Sequence, residues 1–150
     1  MIAVDKISFS EALKYREFFL KTRYKSYCQF TEIPAEKLTE FFFQEIEDLQ
    51  ESEPSFFLAH LRGNPIAFLS LQKLKWDSEH FGLPMGRIKH LYGGVDEARD
   101  LGAKQRLIKV ALDEFKKRGI RHIALRISTE DFNSAYALEK AGFYLADNIM

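Results

Sequence analysis

A mixed α/β sheet is the fold class this sequence predicts, and two observations carry it. Two strand-like runs, 55–62 and 65–74, flank Gly63 and Asn64, a hairpin signal that makes the strands antiparallel. Further on, a strand-like run at 86–91, a long helical pattern and an alternating run at 120–127 form a strand–helix–strand unit. Such a unit implies a parallel pair joined by a crossover helix. The expected element order is β-α-α-β-β-β-α-β-α-β.

Bulk properties narrow the class. The chain has 150 residues, of which 46% are hydrophobic and 29% charged, enough for one domain with its own core and unlike a disordered chain. Fourteen Phe point to a bulky aromatic core. Lys plus Arg and Asp plus Glu number 22 each, so net charge gives no reason to expect nucleic acid or an anionic membrane as partner. A lone cysteine, Cys28, allows no internal disulfide and fits a reducing compartment. No apolar run approaches the roughly 20 residues that span a bilayer. The N-terminus lacks a signal-peptide layout, and a cytoplasmic location is expected.

Each element has its local reason. Residues 2–8 alternate weakly as a first strand, with Ser8 or Ser10 placed to cap a helix. Residues 11–23 carry Leu13, Phe18, Phe19 and Leu20 at helical spacing, and 24–33 read as an irregular connection. Pro34 opens a second helix over 36–49, with Leu38, Phe41, Phe42, Ile46 and Leu49 as its apolar stripe and Phe43 off it. After the hairpin, 75–82 reads as a loop, with Trp76, Phe81 and Gly82 folding it onto the core. The long helix carries Leu101, Ile108, Ala111, Leu112 and Phe115 on its buried face, ends in three basic residues, and stops at Gly119. A short helix over 133–140 stops at Gly142, and 143–150 begins a last strand.

The stretch 92–115 is where chemistry is expected. A glycine-bearing loop leaves a strand and enters a helix, whose first turn has free N–H groups and the positive end of the dipole, a ready phosphate site. Lys104 and Arg106 add positive charge. Many α/β proteins also turn strand into helix through Gly with no ligand there.

Two segments resemble the GNAT acyltransferases. H-L-Y-G-G-V-D-E-A-R-D-L-G-A-K-Q-R-L-I (90–108) is similar to that family's strand, loop and helix around the pyrophosphate of acetyl-CoA. N-S-A-Y-A-L-E-K-A-G-F (133–143) is similar to a later family segment. The likeness covers most of 55–150. It implies a GNAT-like acyl-CoA N-acyltransferase fold, acetyl-CoA as acyl donor in the gap between splayed strands, and a small-molecule amine as acceptor. On that resemblance the cofactor-binding residues are Leu91, Tyr92, Gly93, Arg99, Leu101, Gly102, Ala103, Lys104, Gln105 and Asn133. His90 is the candidate base, being the one group of useful pKa on a strand where Arg87 and Lys89 stand at positions that often hold a carboxylate. The family's tyrosine position is Leu138, with Tyr136 two residues out of register. Lys104 stands where the phosphate loop usually has Gly or Ala.

A narrower likeness is W-D-S-E-H-F-G (76–82), which with A-L-E-K-A-G-F-Y-L-A-D (137–147) resembles the N-terminal half of the TDP-fucosamine acetyltransferase group. It implies an amino-sugar acceptor and a further, C-terminal domain that carries the chemistry; a second copy of the chain is the other expected partner. Asp77 and Glu79 are placed to meet either solvent or a substrate amine, and no metal site is expected from them with His80. Ser128, Thr129, Asp131 and Asn133 are the capping choices for the short helix, and Asn133 is expected either to cap it or to meet a ligand. Two functions follow: an acetyl-CoA-dependent N-acetyltransferase, or a GNAT-like domain without chemistry that shapes an active neighbour. They separate on whether the cofactor cleft is open or filled by a side chain such as Lys104.

Overall fold

A computed structural model describes residues 1–146. Five strands form one sheet in sequence order: β1 (Ala3–Ile7), β2 (Ser55–Leu61), β3 (Asn64–Lys73), β4 (Met85–Tyr92) and β5 (His122–Ala124). The first four pair antiparallel, and β4–β5 is the parallel pair. Among the described residues six α-helices flank the sheet: α1 (Phe9–Leu13), α2 (Arg16–Lys21), α3 (Ala35–Asp48), α4 (Lys75–Phe81), α5 (Glu97–Lys117) and α6 (Phe132–Lys140). The mixed α/β sheet is as expected.

Ser8 caps α1 through a reciprocal capping box with Glu11. The hairpin turns on Arg62 and Gly63, both at positive φ, so β3 begins at Asn64. Two buried clusters occupy the two faces of the sheet. On one, Leu69, Leu71, Ile88 and Leu91 meet Ala103, Leu107, Ala111 and Phe115 of α5. On the other, Phe18, Phe19, Phe42, Phe43, Phe56, Phe68 and Tyr92 interlock, with Phe19 edge-on to Phe43 at 5.5 Å and to Phe68 at 5.0 Å.

Five expectations are corrected. The 11–23 helix is two helices, interrupted at Lys14 and Tyr15. In α3 the buried stripe is Leu38, Thr39, Phe42, Phe43 and Ile46. That is the true three-and-four spacing, so Phe43 packs inward while Phe41 is half-exposed beneath Lys37. Residues 75–81 form a helix, not a loop: nothing in the run breaks it, Ser78 N–H bonds Leu74 O at 2.9 Å, and Gly82 stops it at φ +69°. Its Trp76 and Phe81 are 67% and 59% exposed, so they do not fold onto the core. Of the alternating run 120–127, only His122–Ala124 pairs. Residues 143–146 form no strand, and the rest of the expected last strand lies outside the described residues.

Two irregularities of β4 shape this end of the sheet. Ser70 pairs with His90 and Leu71 with Ile88, so Lys89 is an extra, bulged residue. The bulge resets the alternation, sending Ile88 and Leu91 toward α5 but His90 and Tyr92 toward α3. On its other side β4 pairs with β5 only through Met85–His122, Gly86–Ile123 and Arg87–Ala124. Beyond Arg87 the two chains part, although β4 continues to Tyr92.

Gly86 lets α5 cross close over the start of β4: a Cβ there would lie 2.6 Å from the Phe115 ring and 3.0 Å from Ile120. Gly86→Ala is expected to cost about 1–3 kcal/mol from overpacking, read as a lower urea midpoint with unchanged slope.

Candidate functional site

The site sits where β4 and β5 part, at the mouth between the β4–α5 turn and the start of α6. A cavity of about 210 Å³ opens there, lined by Arg23, Tyr24, Gly94, Glu97, Asp100, Lys104, Glu130, Asp131, Phe132 and Asn133. Its charge is anionic: four carboxylates against two cations.

The α5 helix begins at Glu97, earlier than its glycine suggests. Asp96 is the N-cap, accepting from Arg99 N–H at 3.2 Å, and Glu97 and Asp100 fill the first turn. Acidic side chains here complement the helix dipole, occupying the position an anionic ligand would take. The Arg99 side chain folds back onto Asp96 at 2.9 Å and is half-exposed. Gly102 lies in the second turn, inside the helix.

Asp100 is the hub. One carboxylate oxygen accepts the Gly94 N–H at 2.8 Å; the other accepts Asn133 Nδ2 at 2.9 Å and pairs with Lys104 Nζ at 2.9 Å. Lys104 Nζ also reaches Asp131 Oδ1 at 3.2 Å. Asp131 in turn caps α6, accepting Ser134 N–H at 3.2 Å and Ser134 Oγ–H at 2.6 Å. Asp100, Lys104 and Asp131 are all buried, Lys104 to 1% exposure. A lysine can be held that far from water only when its charge is matched and its donors are used. This cluster pins α5, the β4–α5 turn and α6 together.

The glycines in the turn follow from that hub. A Cβ on Gly93 would lie 2.1 Å from Asp100 Oδ1 and 3.1 Å from Lys104 Cε; Gly94 adopts φ +83° with the Arg23 side chain against it. Arg23 N–H bonds Gly93 O at 2.9 Å, and Arg23 Nη1 pairs with Glu97 at 3.1 Å. By contrast, a Cβ on Gly102 would meet only Ile2 at 3.8 Å, an ordinary contact.

The expected site residues therefore divide. Gly93, Lys104 and Asn133 meet around Asp100, and Arg99 stands beside them on the first turn. Leu91, Leu101 and Ala103 pack into the α5-side core, and Gln105 is exposed. Tyr92 turns to the other face, where its hydroxyl accepts Ser26 N–H at 2.9 Å and burial pushes its pKa up to about 12. Asn133 is not the α6 cap; Asp131 is. Asp131 is one of the expected capping choices, but neither it nor Asp100, Glu97 or Glu130 was expected at the site. The signal for them is a run of acids, D-E-x-x-D at 96–100 and E-D at 130–131, on both flanks of a supposed anion site.

His90 lies on the α3 side, 1% exposed, and lines neither this cavity nor a second one of about 340 Å³ beside Lys25 and Cys28. Its Nδ1 is 2.7 Å from Ser70 Oγ; its Nε2 faces Glu45 Oε1 at 3.7 Å, with Lys89 on the other Glu45 oxygen at 3.5 Å. A carboxylate facing Nε2 favours a proton there, leaving Nδ1 to accept the Ser70 hydroxyl hydrogen. Burial is the main cause holding the imidazole below its ordinary range, with Glu45 working against it.

Acetyl-CoA can be tested against these residues. Its diphosphate needs free main-chain N–H groups and positive charge at the α5 start. The Gly94 amide already bonds Asp100 and the Arg99 amide Asp96, the nearby lysine is neutralised by two aspartates, and the mouth carries excess negative charge. A cradle of this charge, with those two amides and that lysine already matched, fits the diphosphate poorly.

Comparison with known structures identifies the fold. The chain is 18% identical to a ribosomal-protein-alanine N-acetyltransferase from Brucella melitensis biovar Abortus 2308, covering 100% of this chain and 97% of that one at a TM-score of 0.67. An aminoglycoside 6'-N-acetyltransferase from Acinetobacter haemolyticus is 17% identical over 99% of this chain and 94% of its own, at 0.66. A transcriptional regulator from Bacillus halodurans C-125 is 13% identical over 100% and 97%, at 0.70. The fold is that of the GNAT acetyltransferases. No protein-family model matches the chain, and no curated protein does.

Two outcomes follow from this geometry. Lys104→Met leaves two buried carboxylates unmatched and should cost about 3–5 kcal/mol in urea unfolding at neutral pH. Gly102→Ala should instead stabilise by about 0.5–1 kcal/mol, as Gly→Ala does inside a helix with room for the methyl. A third concerns pH. The unfolded chain takes up a proton at His90 below about pH 6.5, while the folded chain resists it. Stability should therefore fall as pH drops from 7 toward 5.5, above the window where Glu45 begins to titrate. His90→Gln should flatten that slope.

Proposed function

We propose that this chain is a GNAT-fold domain that does not itself turn over acetyl-CoA. It works within an N-acetyltransferase system for a small-molecule amine, shaping or supporting an active acyltransferase domain beside it. The observation that carries this is the occupancy of the α5 start by the chain's own Asp100, with Lys104 buried between Asp100 and Asp131. Leu138 is buried in the core at the family's tyrosine position and His90 is enclosed under α3, so neither expected position supplies an acid or base to the mouth, which Tyr24 and Glu130 line instead. An amino sugar is the acceptor class favoured by the likeness of residues 76–82 and 137–147 to the TDP-fucosamine acetyltransferase group, and aminoglycoside enzymes stand among the structural neighbours.

One observation favours direct catalysis instead. The β4–β5 pairing ends at Arg87–Ala124 and a cavity opens beyond it, the place where an acyl donor would lie in this fold.

Thermal unfolding with and without millimolar acetyl-CoA separates the two. No change in midpoint is expected. A ligand present at a hundred times its dissociation constant stabilises by about 2.7 kcal/mol, roughly 5–10 °C for a domain of this size. A rise of that order would overturn the proposal in favour of a cofactor-holding transferase.

A further inference from the structure

A second lysine is buried, and it is held differently from Lys104. Lys25 is 5% exposed. Its Nζ donates to Leu20 O at 3.2 Å, to Thr22 Oγ1 at 3.2 Å and to Thr22 O. All three acceptors are neutral. Among the described residues no carboxylate pairs with this ammonium, whereas Lys104 has two. Burial holds the Lys25 pKa below its ordinary value, with Cys28 working against that. Burial pushes the Cys28 thiol up in turn, so it supplies no anion. The donors of Lys25 are used, but its charge is not matched.

Lys25 stands in the wall of the cavity of about 340 Å³, with Thr22, Arg23, Cys28 and Glu130 around it. The backbone on both sides of it is strained. Tyr24 sits at φ +61° and Tyr27 at φ +69°, a region that bulky side chains rarely adopt. Ser26 N–H, bonded to Tyr92 Oη at 2.9 Å, and Cys28 N–H, bonded to Lys25 O at 3.0 Å, hold the turn in place. Strain kept at a cavity wall, around a charge that the fold leaves unmatched, points to a ligand.

We propose that this cavity seats the anionic group of a small molecule, a carboxylate or a phosphate, with Lys25 as its charge partner. Arg23, Tyr24 and Glu130 line both this cavity and the acidic mouth, so the two adjoin. An anion on Lys25 therefore leaves the rest of the same molecule beside Glu130 and Glu97, where an ammonium is welcome. The ligand class is an amine that also carries an acid group. Its ammonium half rests on the small-molecule amine reading above; its anionic half does not.

Amide shifts in NMR titrations of the full chain test this with paired probes. Glucosamine 6-phosphate differs from glucosamine by a phosphate, and 4-aminobutyrate from butylamine by a carboxylate. In at least one pair the anionic member should bind roughly tenfold tighter, with saturating shifts at residues 22–28, and the pair that responds tells phosphate from carboxylate. Lys25→Met should abolish the gain. Glu130→Gln, a change at an exposed residue, should tighten glucose 6-phosphate about twofold, because a like charge leaves the cavity. Dispersed spectra check that both variants fold. Glucose 6-phosphate binding as tightly as glucosamine 6-phosphate would support the Lys25 anion site and count against the amine reading. No gain in either pair, a gain that survives Lys25→Met, or weaker glucose 6-phosphate binding in Glu130→Gln would overturn the anion site.

Discussion

A buried lysine sets the terms for one end of this molecule. The Lys104 ammonium cannot stay 1% exposed unless its charge is matched, and Asp100 and Asp131 match it. Each aspartate then has further duties. Asp100 holds the β4–α5 turn through the Gly94 amide and draws Asn133 in from α6. Asp131 caps α6. The requirement for Gly93 comes from the same contact, since any side chain there would collide with the Asp100 carboxylate. One charge thus accounts for a helix cap, a glycine turn and the docking of two helices.

The same cluster decides what the mouth of the sheet can do. Parting of β4 and β5 gives an opening of a size to admit a ligand, and the helix N-terminus above it would ordinarily attract an anion. Here the anion is supplied from within. The opening is geometric, and its chemistry is acidic. The fold alone therefore does not fix the chemistry of this opening.

Much of the architecture could be read from the residues. The hairpin at Gly63, the capping Ser8, the stop at Gly119 and the parallel unit around α5 all rest on local signals that tertiary contacts did not override. Where expectation missed, the cause is specific. Gly102 drew attention as a loop glycine, but Asp96 is the better cap, and the acids after it fit a first helical turn. Residues 75–81 read as a loop because they match no buried pattern; the helix they form buries none of its residues. Lys104 was visible as a departure from the phosphate-loop pattern. Its two partners were not, because Asp131 lies 27 positions away and only the α5–α6 packing joins them. The Ser70–His90–Glu45 contact was likewise hidden, since three separate elements supply it.

The central claim is that the Asp100 carboxylate occupies the anion position of the β4–α5 turn. Hydrogen exchange at the Gly94 amide tests it most directly, in the wild-type chain and in Asp100→Ala. Strong protection of that amide in the wild type, lost in the variant while the β2–β3 core stays protected, is the predicted result. A Gly94 amide that exchanges freely in the wild type, or whose protection is indifferent to Asp100, would contradict it.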